Sequence, residues 1–367
     1  MLKTVFRAFA VSLAGAVVAA SQQQAPPPTP PPLPQQQPVF RGRIETVSVP
    51  VSVFDRYDTI VTRLEKDDFT VLDDGARQEI TQFSSGLQPI RAVALVDVSA
   101  SMMPTYDLAM LAAEQFVIRL RPDDKARVGL FNVKTRLSPE FTSDRDALLR
   151  WLRQVPPFSN PTKLLDAINE AITELLPEQG RRVVLVFTDG CDTASETSWN
   201  TVLRRIYSED VMVYAIMFRP KIILKAPPER TMNFGSARGA MGGGRGGNSN
   251  PFPCTLDHWL ELSNATPLSD FFKIDDPRWT RGAQLIHQLA SETGGGRINL
   301  APADEVNRLF TGIMNELHYM YLLGYTPPKS DGKLHEIKVK VKNPELVIRA
   351  RQHYLAPPPP PNPRRPG

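Results

Sequence analysis

The chain has 367 residues, of which 41% are hydrophobic and 22% charged, with a formal net charge of +4. That is enough apolar material to bury a sizeable core in one large or two modest domains. The charges are nearly balanced and scattered, which excludes the concentrated basic stripe of a nucleic-acid-binding surface.

Residues 1–20 begin with Lys3 and Arg7 and continue as an apolar stretch interrupted by Ser12. Small residues at Val18 and Ala20 predict an export signal cleaved before Ser21. The apolar run is shorter than the roughly 20 residues needed to span a bilayer, and no later segment is better suited. The expectation is therefore a periplasmic or secreted protein with no transmembrane span after cleavage. Residues 21–39 form a Pro/Gln-rich linker and 356–367 a Pro-rich tail. Together they concentrate many of the 35 prolines, as in extended polyproline II spacers that lack the apolar surface to fold.

Residues 40–88 read as β structure. The stretch 44–54 alternates apolar and polar residues, and Pro50 predicts an edge strand or a break. Residues 67–75 form a short strand closed by an Asp-Gly turn, with 78–83 returning as its partner. From residue 89 the pattern changes. Ala92-Val93-Ala94-Leu95-Val96 is apolar on both faces, as expected of a covered parallel strand. A helix over 106–120, a strand at 128–131, and a helix over 144–155 capped by Ser143 follow. Next come a helix opened by Thr162, the strand 183–187, a helix over 198–208 and the strand 211–218.

Residues 220–278 interrupt this rhythm with the Gly-rich tract 235–247, read as a surface loop, and an aromatic-rich stretch behind it. A helix at 282–292, a Gly294-Gly295-Gly296 turn, a strand at 297–300 and a helix over 304–319 complete the region 89–320. Residues 321–355 are again β, with strands at 321–326 and 335–341 and a third near 346–351. The fold class is thus α/β, a doubly wound, mostly parallel sheet flanked by helices. It is inserted in a small β-sandwich built from the 40–88 and 321–355 segments, since neither has enough strands for a core of its own.

Three loops carry the chemistry. Asp97-Val98-Ser99-Ala100-Ser101 follows the strand 92–96, Thr162 opens its helix, and Asp189 in Thr188-Asp189-Gly190 follows the strand 183–187. Ligands of open parallel sheets bind outside the carboxyl ends of the strands. Three hydroxyls and two carboxylates there offer hard oxygen donors suited to Mg²⁺, with Mn²⁺ or Ca²⁺ as alternatives. Taken singly, Asp97 or Ser99 reads as a helix cap; taken together, the five positions read as one metal site. Asp166 reads as a first-turn acid complementing the helix dipole, and Asp192 as a solvated loop charge. The five histidines show no paired spacing and read as structural or surface residues. Cys191 and Cys254 could form one disulfide, and sequence leaves their pairing open.

Asp97-x-Ser99-x-Ser101, Thr162 and Thr188-Asp189-Gly190 resemble the metal-ion-dependent adhesion site (MIDAS) of von Willebrand factor A domains, over about residues 90–320. The resemblance implies that Ser99, Ser101 and Thr162 reach the metal by their hydroxyls, and Asp97 and Asp189 mostly through water. It also implies a vacant coordination position for an acidic group of a partner. The flanking segments 67–75, 321–327 and 335–341 look like an exported bacterial family of A-domain-related proteins abundant in Acidobacteria. Two departures stand out: Ser159-Asn160-Pro161 precedes Thr162 where glycines are usual, and the tract 235–247 is extra.

The expected function is cation-dependent binding of a carboxylate on a protein or polysaccharide partner, with no nucleic acid involved. A second expectation is a metal-stabilised scaffold of the cell envelope that docks through its Pro-rich tails. No nucleophile with a base partner and no phosphate-binding loop is evident, so no enzymatic role is expected.

Overall fold

The computed structural model describes residues 46–154, 161–218, 277–300 and 306–359. All belong to one compact unit, Ile44–Gly367. The expected export signal and linker, Ser159, Asn160, the Gly-rich tract, the aromatic stretch up to 276, and the tail from 360 lie outside the described residues.

A six-stranded sheet forms the centre. Its strands are β5 (Ile90–Asp97), β6 (Lys125–Phe131), β7 (Thr135–Leu137), β8 (Arg181–Thr188), β9 (Val211–Phe218) and β10 (Arg297–Leu300), in the order β10-β9-β8-β5-β6-β7. All neighbours are parallel except β7, a short antiparallel edge strand that the sequence pattern did not reveal. The apolar runs follow from burial on both faces. Ala92, Ala94 and Val96 enter one core, shared with α1 (Tyr106–Val117) and α2 (Arg145–Leu152). Val93 and Leu95 enter the opposite core, shared with α3 (Leu164–Leu175) and α4 (Trp199–Ser208). Helix α5 (Pro277–Glu292) packs on the second face and α6 (Val306–Tyr319) on the first. The structure caps α2 with Asp144, which accepts from the Ala147 amide at 2.9 Å, in place of the expected Ser143. Gly295 is required by close packing, because a Cβ there would lie 1.9 Å from the Val213 carbonyl oxygen.

The remaining strands are β1 (Val47–Phe54), β2 (Phe69–Asp73), β3 (Ala76–Gln78), β4 (Gln82–Ser84), β11 (Tyr321–Tyr325), β12 (Leu334–Val341), β13 (Val347–Ala350) and β14 (His353–Leu355). They form two four-stranded sheets, β13-β1-β11-β4 and β14-β12-β2-β3, so each sheet mixes strands from before and after the insertion. A single core lies between them, with Val49, Val51, Val53, Phe69, Val71, Tyr321 and Tyr325 fully or almost fully buried. Two expectations need correction. Strand β1 is interior and unbroken; Pro50 is tolerated because only β11 flanks it, with pairing to β13 beginning at Val51. The segment after the Asp-Gly turn divides, since 76–78 pair with β2 whereas 82–84 cross to β11.

The ends of the inserted domain meet. The Gln88 amide donates to the His318 carbonyl at 3.0 Å. Buried Asp124 accepts from the Ile90 amide at 2.9 Å and the Arg121 amide at 2.6 Å, and lies 2.9 Å from His318 Nε2. Burial works to raise the Asp124 pKa, but His318 and the two amides outweigh it and leave the carboxyl below its ordinary value. A depressed carboxyl contributes stability that is complete above its unfolded pKa of about 3.9 and is lost as pH falls through the folded value. Asp124→Asn is therefore expected to lower stability at pH 7 and to flatten the acid slope below about pH 4, as read by urea unfolding at several pH values.

Candidate metal centre

Chain order explains where the site forms. From β5 the chain moves to β6 and β7 on one side, then returns to place β8 on the other side of β5. The carboxyl ends of β5 and β8 therefore flank a topological switch point, where crossovers diverge and leave a crevice. Asp97 ends β5, and Asp189 follows β8 directly.

Both carboxylates are buried. Asp97 Oδ1 accepts from the Ser99 amide at 2.9 Å, and its Oδ2 accepts from the Thr188 hydroxyl at 2.7 Å. That hydroxyl in turn accepts from the Gly190 amide at 3.0 Å. Gly190 has a φ of +88°, the left-handed turn that takes the chain away from β8. Ser99 Oγ and Ser101 Oγ are 3.0 Å apart. Asp189 Oδ1 accepts from the Cys191 amide at 3.0 Å, whereas its Oδ2 is buried with no hydrogen-bond partner.

The electrostatics are unfavourable as they stand. Burial, then the Asp189 charge, push the Asp97 carboxyl up to about 7, against hydrogen bonds from Ser99 and Thr188. Burial also raises Asp189, with the Ser101 hydroxyl and the Cys191 amide opposing it. No basic side chain among the described residues contributes to either group. An orphaned anionic oxygen beside a second buried carboxylate is costly unless a cation compensates it. This donor set of carboxylate and hydroxyl oxygens therefore fits a hard divalent ion.

Thr162 is buried, and its backbone is tied to the loop after β8. Its amide donates to Thr193 Oγ1 at 2.8 Å, and its carbonyl accepts from the amides of Thr193 and Ala194. Asp192, expected to be solvated, is fully buried. It accepts from the Leu164 amide at 2.8 Å and the Ser195 hydroxyl at 2.5 Å, which fixes the start of α3. Asp166 lies in the first turn of α3 as expected, yet it also accepts from the amides of Thr197 and Glu196. Thr188 thus orients Asp97, a role its place in the Thr188-Asp189-Gly190 motif did not reveal, and Asp192 is a buried positioning residue where a solvated loop charge was expected. Their signal was position alone, beside Asp189. Cys191 is disulfide-bonded; Cys254, the chain's other cysteine, lies outside the described residues.

The profile of the von Willebrand factor type A domain family matches residues 92–191. No curated protein matches the chain. Among solved structures, an aerotolerance-related membrane protein from Bacteroides fragilis is 18% identical with a TM-score of 0.40, over 62% of this chain and 98% of that one. A von Willebrand factor type A protein from Catenulispora acidiphila is 10% identical with a TM-score of 0.41, over 80% and 76% of the two chains. Proximal thread matrix protein 1 from the mussel byssus, with a zinc-occupied MIDAS motif, is 19% identical with a TM-score of 0.33, over 37% and 38%. Residues 92–191 thus match the von Willebrand factor type A domain profile, and Asp97, Ser99, Ser101, Thr162 and Asp189 all fall within the matched residues.

Proposed function

We propose that this protein, exported from the cytoplasm, uses a divalent cation held by Asp97, Ser99, Ser101, Thr162 and Asp189 to bind a carboxylate of a protein or polysaccharide partner. The observation that carries the reading is the buried, unpartnered Asp189 Oδ2 beside the raised Asp97 carboxyl. Mg²⁺ suits these oxygen donors, and Mn²⁺ or Ca²⁺ would be accepted by the same set. The hydroxyls of Ser99 and Ser101 supply neutral donors, so the ion keeps enough positive charge to attract one more anionic oxygen. Thr188 orients Asp97, and Asp192 fixes the start of α3 beside Thr162. The basic start and apolar run of residues 1–20 support export.

The test uses the immobilised full chain and an aspartate-bearing peptide probe with its asparagine counterpart. In Mg²⁺ the aspartate peptide is expected to bind at least about tenfold more tightly, the loss of one charge-assisted contact. Chelator, or Asp97→Ala, is expected to remove that preference while circular dichroism stays unchanged. A preference that persists in excess chelator rejects the proposal.

A further inference from the structure

A second group of ligand atoms lies in the β-sandwich, away from the loops after β5 and β8. Asp73 ends β2, Asp74 stands in the turn after it, and His335 lies near the start of β12. One ligand atom from each lies within 4.8 Å of the other two. His335 Nδ1 is 2.9 Å from Asp73 Oδ1 and 3.0 Å from Asp74 Oδ2. A ring nitrogen carries one proton and can direct it at one acceptor, yet two carboxylate oxygens converge on the same point.

Every atom of these three side chains that does not face this point is held by another group. Asp73 Oδ2 accepts from the hydroxyls of Tyr325 at 2.9 Å and Tyr354 at 2.7 Å. Asp74 Oδ1 accepts from the Glu336 amide at 3.0 Å. His335 Nε2 is 3.1 Å from Asp331 Oδ1. A carboxylate on the far nitrogen is the arrangement that orients a metal-bound imidazole and raises its basicity. Three carboxylates surround one imidazole, so the cluster carries net negative charge even with the ring protonated. Donor atoms 2.9 and 3.0 Å apart match neighbouring corners of an octahedral shell with bonds of about 2.0–2.2 Å, and a tetrahedral shell needs them to part by roughly 0.5 Å. Asp73 and His335 are almost wholly buried, whereas the Asp74 side chain is half exposed and leaves an entry path from solvent.

We propose that Asp73 Oδ1, Asp74 Oδ2 and His335 Nδ1 form a second cation site, for Zn²⁺ or another divalent ion that accepts mixed nitrogen and oxygen donors. On binding, His335 Nδ1 releases its proton to solvent and its lone pair takes the metal. The ion would clip the β2–β3 turn to β12, joining segments from before and after the inserted domain. The site shares no residue with the Asp97 loop.

The test counts zinc bound per full-length chain by equilibrium dialysis at neutral pH. The wild type is expected to hold one ion more than His335→Gln, and Asp97→Ala is expected to keep that ion. The difference between wild type and His335→Gln reports this site whatever the occupancy near Asp97, so the two sites can fail separately. Should His335→Gln lose its circular dichroism spectrum, Asp74→Asn on the half-exposed turn replaces it, with at least tenfold weaker zinc binding expected. Equal zinc counts and affinities in the wild type and the folded variant overturn the proposal.

Discussion

Saturating Mg²⁺ is expected to raise the melting temperature of the wild-type chain by roughly 5 °C over its value in chelator, whereas Asp189→Asn is expected to show no such rise. The magnitude follows from mass action, because a ligand at a hundred times its Kd stabilises the folded state by about 2.7 kcal/mol. The variant is informative for a second reason. In the metal-free chain, Asp189 Oδ2 is buried without a partner and its charge raises the Asp97 carboxyl. Replacing the carboxylate with an amide of the same shape removes that repulsion. In chelator, Asp189→Asn is therefore expected to melt at or above the wild-type temperature. A capping or turn role for Asp189 predicts the opposite, because the amide accepts less strongly from the Cys191 amide and the variant would melt lower. A wild-type melting temperature unmoved by Mg²⁺, Mn²⁺ and Ca²⁺ would sink the metal reading.

The parts of the fold legible in sequence were those where burial fixes the pattern. Strands β5 and β8 are apolar on both faces because each sends alternate residues into two different cores. That two-sided burial also marks their carboxyl ends, which is why Asp97 and Asp189 could be placed after strands. The sandwich was legible as a necessity, from two β segments each too small to stand alone. Its register was not. Pairing of Val47 with Tyr325 spans the whole inserted domain, and no local signal selects it.

Buried polar groups were the least legible of all. Asp192 looks like any loop acid, yet two donors, one of them the Leu164 amide, hold it in a fully buried place. His335 sits in an alternating strand and Asp73 before a glycine turn, and 262 positions separate them. Each residue taken singly reads as ordinary, and only the fold brings them to 2.9 Å.

Asp73 is also where the largest stability effect is expected. With chelator present, Asp73→Ala is expected to cost about 3–5 kcal/mol in urea unfolding, the usual loss when one partner of a buried charged network is removed. Three groups rely on this one carboxylate: the Tyr325 and Tyr354 hydroxyls and His335 Nδ1. Tyr325 belongs to one sheet of the sandwich, whereas Asp73, His335 and Tyr354 belong to the other. The carboxylate therefore ties the two layers together inside an otherwise apolar core. Truncation to alanine takes that acceptor from both buried tyrosine hydroxyls, whereas His335 Nδ1 keeps Asp74 Oδ2 at 3.0 Å. By contrast, Tyr354→Phe removes one donor and leaves the carboxylate with two others, so its expected cost is only about 1 kcal/mol. Because both changes act on the same network, the double variant Asp73→Ala/Tyr354→Phe is expected to cost less than the sum of the two. Additive costs would mean that Tyr354 does not act through Asp73, and an Asp73→Ala loss below about 1 kcal/mol would mean that shape alone aligns the two sheets.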